Sequence, residues 1–312
     1  MSNLLAKLTK PWYPARAIGL DKGVAALVQL ERAKGGSCII RRAASIQLPA
    51  DLITPGFEHS NIREPQALAG ALSDLAASAG LLKQKRWSVS LPETSARTFV
   101  LTLDNDQSSG ELQEVLQWKM ERAFGMPLEE LSISRERLQK DSQQRDRYLV
   151  IAIKKTVLHE FESVFTILGW RIGLVLPRHF GEAQWLLRNG LKGDSLLLSA
   201  SNEGFTAVIF RGKHPLIVRT VECDSDECED ELYRLLLFYR DKRTGESGNP
   251  DLGGLLVVGG GLRKERAGEI VNETIGADLR PLDPADLGLE MPSGRFDFNV
   301  LAGPAGLATL SW

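Results

Sequence analysis

The sequence predicts an α/β protein of two lobes built on one plan, with a small α+β unit inserted into the first. Three observations carry this. The chain has 312 residues, more than one hydrophobic core ordinarily supports. A pattern of three short strands joined by tight turns at residues 15–48 returns at 191–222 with little identity, which reads as a structural repeat. Between the two, from about residue 94, the composition shifts to a polar loop and an amphipathic helix. The expected division is a first lobe over 1–190 carrying the insertion at about 94–170, a second lobe over 191–295, and a terminal segment over 296–312 that packs back on the first lobe.

Residues 17–31, "AIGLDKGVAALVQLE", run as an apolar strand into Asp21, turn at Gly23 and leave as a second strand. The turn is too short for a crossover, so the pair is antiparallel. "SCIIRRAASIQLP" adds a third strand, and a loop rich in turn residues follows. Pro65 opens a helix with Leu68, Leu72, Leu75, Ala76 and Ala79 on one face, and Gly80 stops it. "RWSVSLP" is then a strand.

The insertion opens with the strand "SARTFVLTL" and a loop in which Ser108 or Ser109 is placed to cap a helix. Leu112, Val115, Leu116, Met120, Ala123 and Phe124 share one face of that helix, while Trp118 lies off the stripe, open to a neighbouring element or a partner. Two strands around a charged turn follow, then a helix with Val157, Leu158, Phe161, Val164, Phe165 and Leu168 on its buried side. "RIGLVLP" and the helix "HFGEAQWLLRN" return the chain to the first lobe.

The second lobe repeats the hairpin theme, with turns at Asn202-Glu203-Gly204 and Gly212-Lys213. A helix over about 227–241, the buried strand "GGLLVVGGG", a helix over about 262–275, a strand "ADLRPL" and a closing helical segment complete the chain.

With 43% hydrophobic and 25% charged residues and a formal net charge of -2, no broad basic field for nucleic acid is expected. No apolar run has the length of a signal peptide or a membrane span, and the basic, amphipathic first residues read as a frayed terminus. Three cysteines, an odd number, argue against a disulfide framework and for a reducing, cytoplasmic compartment. The acidic run "ECDSDECEDE" at 222–231 fits no calcium loop or zinc set and reads as a helix N-terminus complementing the macrodipole. The four histidines sit in no nucleophile or metal setting, so no catalytic residue is assigned.

Two hairpins, one opening each lobe, and a glycine-rich strand end at Gly259-Gly260-Gly261 are three elements that in this order can surround a nucleotide. Backbone N–H groups at Gly23 and Gly204 would face the phosphates, Asp21 the metal, and Gly259, Gly260 and Gly261 the adenosine. In this order, "IGLDKGVAALVQLE", "VSLPETSARTFVLTL", "ELQEVLQWKMERAFGMPLEEL", "YLVIAIKKTVLHEF", "LLLSASNEGFTAVIFRGKHPLIVRTV", "LLVVGGGLRK" and "NVLAGPAGLA" resemble successive segments of the PilM family of type IV pilus assembly proteins. That family belongs to the actin-like superfamily and is related in fold to the cell-division protein FtsA. The resemblance runs from about Ala17 to Ala308 and implies a two-lobed actin-like fold, a duplicated ribonuclease H-like unit. It also implies a cytoplasmic docking platform that binds the short N-terminal tail of a PilN-like inner-membrane protein, with an assembly motor ATPase as a further candidate partner and membrane contact only through the partner. The tail would lie between the first lobe's core and the insertion, near Trp118, Phe124 and Met126.

The departures bear on the cofactor. The family places Ser residues after its first Asp-x-Gly and a Lys at the position of Val28, where this chain has Val24, Ala25 and Ala26. The second hairpin has Ser199-Ala200-Ser201-Asn202 in place of an acidic opening, and Leu176 and Arg178 stand where acids are usual. Strand alternation points Lys22 away from the face used by Asp21. A hydrogen bond to a charged group contributes about 1.5–3 kcal/mol, so losing two or three reduces nucleotide affinity by about 3–6 kcal/mol, or roughly 10²- to 10⁴-fold. The expectation is therefore a degenerate nucleotide site, with ATP and magnesium bound weakly if at all. Two other readings are a Mg-ATP-dependent actin-like ATPase and a cytoplasmic component of a type II secretion system, the latter a protein that continues into a membrane span absent here.

Overall fold

The computed structural model describes residues 13–33, 35–104, 111–245, 251–292 and 296–312. Its first sheet contains β1 (Arg16–Asp21), β2 (Val24–Arg32), β3 (Cys38–Gln47), β4 (Arg86–Leu91), β8 (Arg171–Pro177) and β13 (Leu289–Glu290), in the order β13-β3-β2-β1-β4-β8. The opening hairpin is antiparallel, with Asp21 opposite Val24, whereas β4 and β8 run parallel to β1. The second sheet has the order β11-β10-β9-β12, from β9 (Asp194–Ser201), β10 (Gly204–Arg211), β11 (His214–Glu222) and β12 (Leu252–Gly259). It repeats the antiparallel hairpin followed by a parallel strand, so the two lobes do share one plan.

Both sheets are covered on both faces, and the sequence of β2 explains how. Ala25 and Leu27 enter one core with α1 (Pro65–Ser78) and α3 (Lys155–Ile167). Their alternates Ala26, Val28 and Leu30 enter a second core with α4 (Arg178–Asn189) and α7 (Phe298–Ala308), because successive side chains of a strand point to opposite faces. That second core also receives Leu197, Val208, Leu256 and Val258 from the other lobe. The outer face of the second sheet packs on α5 (Ser225–Gly245) and α6 (Lys264–Ile275). The layers therefore run α1/α3, first sheet, α4/α7, second sheet, α5/α6.

Helices α4 and α7 cross between the lobes where each is thinnest. A Cβ on Gly181 would lie 2.1 Å from the Gly303 carbonyl oxygen, and one on Gly306 would lie 1.8 Å from that of Gly181. Only glycine permits this approach, and Trp185 Nε1 seals the crossing by donating to the Ala302 carbonyl at 2.9 Å.

The insertion is a three-stranded sheet, β5 (Arg97–Leu103), β7 (Asp146–Lys154) and β6 (Leu131–Leu138), covered by α2 (Glu111–Phe124). Helix α3, expected inside the insertion, instead belongs to the first lobe, since Val157, Phe161, Val164 and Phe165 are buried against its sheet. The insertion thus closes at Lys154. The return to the first lobe starts before residue 296, because Leu289 and Glu290 pair with Cys38 and Ile39 at the edge of the first sheet. The expected strand at "ADLRPL" does not form; that segment packs Ala277, Leu279 and Leu282 on the cores and donates from Leu282 N–H to Leu255 O at 2.8 Å. Ser108 and Ser109, the Leu112 side chain and most of the basic N-terminus lie outside the described residues.

Cys223 and Cys228, read above as thiols of a reducing compartment, are bonded to each other with Cα atoms 5.6 Å apart. The chain leaves β11 and turns directly onto the first turn of α5, which brings the two together; Cys38 is free and buried. Among the described residues, no helix is long and apolar enough to cross a membrane.

Candidate functional site

The carboxyl ends of β1, β4, β9 and β12 converge on a cleft of about 540 Å³ between the lobes, the location where open α/β sheets place ligands. Asp21, Gly23, Gly259 and Gly260 line it; Gly204 and Gly261 do not. Gly204 is spent on strand pairing, since its φ is +133° and a Cβ there would lie 2.0 Å from Val221 O. Gly259 and Gly261 likewise accommodate protein: their missing Cβ atoms would meet the carbonyls of Ala200 and Ser201 at 2.0 Å each. The Gly259 N–H donates to Asn299 Oδ1 at 3.1 Å.

The cleft is lined with the chain's own charges. Arg178, the first residue of α4, donates from Nη1 to Asp21 Oδ2 at 2.5 Å and from Nη2 to Ala200 O at 2.6 Å. Its Nε lies 3.1 Å from Glu182 Oε1, and Nε and Nη2 approach Ser199 Oγ at 3.3 and 3.2 Å. Glu93, on the turn after β4, accepts from the His179 N–H at 3.2 Å and meets His179 Nδ1 at 2.5 Å. A carboxylate of this chain therefore occupies the anion-attracting N-terminus of α4. Asp297 does the same for α7, accepting from Asn299 N–H at 2.9 Å. At the mouth, Lys22 Nζ reaches Glu203 Oε1 at 2.5 Å. Lys22, expected to point away from the cleft, lines it, because a residue at the tip of a turn escapes strand alternation.

These charges shift one another. Burial alone would lower the Arg178 pKa, but the charges of Glu182, Asp21 and Glu93 outweigh it and hold the guanidinium above its ordinary value. Burial pushes Glu182 up, since its side chain is fully enclosed and the nearby Arg178 offsets only part of the desolvation. Burial also acts to raise Glu93, but the His179 charge and hydrogen bond, with Arg178, bring it below the usual carboxylate range.

The groups that a magnesium nucleotide would use here are engaged by the chain itself. Asp21 is paired with Arg178, the first hairpin offers no hydroxyl, and the helix N-termini are taken by Glu93 and Asp297. Among the described residues, no three His, Cys, Asp or Glu side chains group to hold a metal ion. Sequence reasoning noted Arg178 only as an absent acid; a cation directly after Pro177, at the carboxyl end of a parallel strand, was the available signal.

A second and larger groove, about 870 Å³, lies between the loop Pro55–His59, the start of β5 and the end of β11. Phe57 and Phe99 form its apolar part. Arg97 lies 4.4 Å above the Phe57 ring and donates to Phe124 O at 2.8 Å and Glu58 Oε1 at 3.1 Å. Glu58, Glu203, Glu222 and Arg219 complete a charged rim. Asn61, missed in the sequence, holds the loop: its Nδ2 donates to Gly56 O at 2.6 Å and His59 O at 2.8 Å, while Oδ1 accepts from Ser95 Oγ at 2.6 Å. Of the residues expected along a groove, none lines this one. Phe124 is 0% exposed and supports it from below, its ring centroid 6.3 Å from Phe57 and 5.4 Å from Phe99. Met126 packs half-buried on the same insertion core. Trp118 is 55% exposed beside Arg122 on the outer side of α2.

Paired sheets of this order, sharing a cleft at their strand ends, define a two-lobed α/β fold with an insertion in the first lobe. Among solved structures, a chain of the PilM-PilN type IV pilus biogenesis complex shares it with a TM-score of 0.69 and 18% identity, covering 96% of this chain and 99% of that one. A Bacteroides thetaiotaomicron protein with an actin-like ATPase fold gives a TM-score of 0.49 at 11% identity, over 97% of each chain. The cytoplasmic domain of EpsL, an inner-membrane component of the Vibrio cholerae type II secretion system, gives 0.47 at 13% identity, over 95% of this chain and 93% of that domain. Neither a family model nor a curated protein sequence matches the chain.

Proposed function

We propose that the protein is a cytoplasmic docking platform of a type IV pilus or related assembly machine. It binds the short cytoplasmic tail of a PilN-like inner-membrane protein and does not turn over nucleotide. The observation that carries this reading is the groove between the first-lobe loop, the insertion and β11 of the second lobe, where a half-buried Phe99 and the buried Phe57 line a cavity rimmed by charges. Both β5 and β11 are edge strands of their sheets and lie beside each other, so an extended tail in the groove would run along their edges with aromatic anchors beneath it. Short peptides gain affinity from such a few anchors. The fold likeness to a chain of a complex that contains PilN supports the choice of partner. The nucleotide-dependent alternative requires Asp21 to be free for a metal, and here Arg178 holds it.

The test is direct titration of the full chain with fluorescent peptides covering the cytoplasmic N-terminal tails of membrane proteins from the same assembly machine. One tail should bind, and Phe99→Ala should weaken it by about tenfold or more. Failure of every tail to bind overturns the reading.

A further inference from the structure

Arg178 belongs by its backbone to the first lobe, yet its guanidinium reaches the second. Its side chain is 11% exposed. From one planar fork it meets Asp21 of the first hairpin, Glu182 of its own helix, and Ala200 O and Ser199 Oγ of the second hairpin. A guanidinium has five N–H donors and stays charged at all physiological pH values. A group with those properties, fixed against one hairpin of each lobe, does what a bridging ligand does, except that it cannot dissociate. Lys22 and Glu203 repeat the bridge at the cleft mouth in more exposed form.

We infer that Arg178 is a resident cation in the wall of the interlobe cleft that braces the two lobes at a fixed separation with no nucleotide. Glu203 lines both the cleft and the larger groove, and that groove takes walls from both lobes. The brace therefore also sets the groove's width; this last consequence rests on the docking function proposed above, while the brace itself does not.

Hydrogen exchange of the full chain, read at the amides of the two hairpin turns by mass spectrometry, tests the brace. In the wild type both turns should exchange slowly, with no change on adding millimolar Mg-ATP. Arg178→Ala should raise exchange at both by about tenfold or more, since it leaves Asp21 and Glu182 unpaired. Arg178→Lys, which keeps the charge but not the fork, should fall between. Unchanged exchange in Arg178→Ala, or protection of the wild-type turns by Mg-ATP, overturns the inference. Should Arg178→Ala fail to fold, Asp21→Asn decides: it is isosteric and removes one end of the brace, so faster exchange at the first hairpin supports the inference and unchanged exchange overturns it. A chain that binds no peptide yet shows these patterns would leave the brace standing and remove only the docking function.

Discussion

Lys22 and Glu203 meet at 2.5 Å from the tips of hairpins in different lobes, each about half exposed. Exposed pairs contribute about 0–1 kcal/mol. A double-mutant cycle with Lys22→Ala and Glu203→Ala, followed by urea denaturation, should give a coupling below about 1 kcal/mol that fades in high salt. A larger, salt-insensitive coupling would mean that this pair, and not Arg178, is the brace at the cleft.

Glu182 and Glu93 predict opposite pH effects. The folded pKa of Glu182 is raised, so its contribution is present below its unfolded value, near 4.5, and is lost as pH rises through the folded value. Fully buried, its carboxylate is a net burden once pH has risen through the folded value. Glu182→Gln should therefore match or exceed wild-type stability by up to about 1 kcal/mol at pH 7, with the difference vanishing below pH 4.5. Glu93 is depressed, so its stabilisation is present above the same unfolded value and is lost as pH falls through the folded one. Glu93→Gln should lose about 1.5–3 kcal/mol at pH 7 and flatten the acid limb of the stability profile. Denaturation midpoints from pH 4 to 8 separate the two.

Phe124 and Trp118 lie on one helix and predict different outcomes. Phe124 is enclosed by Phe57 and Phe99, so Phe124→Ala should cost about 3–5 kcal/mol and weaken the groove through its floor. Trp118→Ala should change stability by less than about 0.5 kcal/mol. Thermal melts of the two variants check this, and a large loss for Trp118→Ala would show that the outer face of α2 is packed.

The elements that sequence patterning makes legible are those with a long enough period. The two-faced burial of β2, the apolar stripe of α1 from Leu68 to Ala76 and the repeated hairpins all follow from alternation or helical spacing. β13 has two residues, too few for any period to show. The insertion's end was misplaced because a stripe such as Val157, Phe161 and Val164 says that a helix is buried but not against which sheet. The hairpins and glycine turn of the cleft were legible as a set. The cation in its wall was not, since Arg178 and Asp21 are 157 residues apart, and a sequence gives no distance between a cation and the acid it will meet.

Asn61 is where the loop that walls the groove is decided. It is 1% exposed, and its amide satisfies the carbonyls of Gly56 and His59, the Ser95 hydroxyl and the Gly56 N–H at 3.2 Å. Its own N–H donates to Glu160 of α3 at 2.7 Å, which ties the loop to the first lobe. Asn61→Ala keeps that backbone bond and removes the side-chain set, leaving buried polar groups unpaired at about 1–3 kcal/mol each where water cannot replace the amide. The expected result is a loss of about 2–4 kcal/mol in urea denaturation, with exchange rising first over residues 55–61, because the Asn61 amide is what holds the Gly56 and His59 carbonyls. Asn61→Asp preserves the acceptor for Ser95 and Gly56 N–H but sets a carboxylate against two carbonyls, so it should be no better than alanine. Were Asn61→Asp to restore wild-type stability, the donated bonds to Gly56 and His59 would not be what fixes the wall.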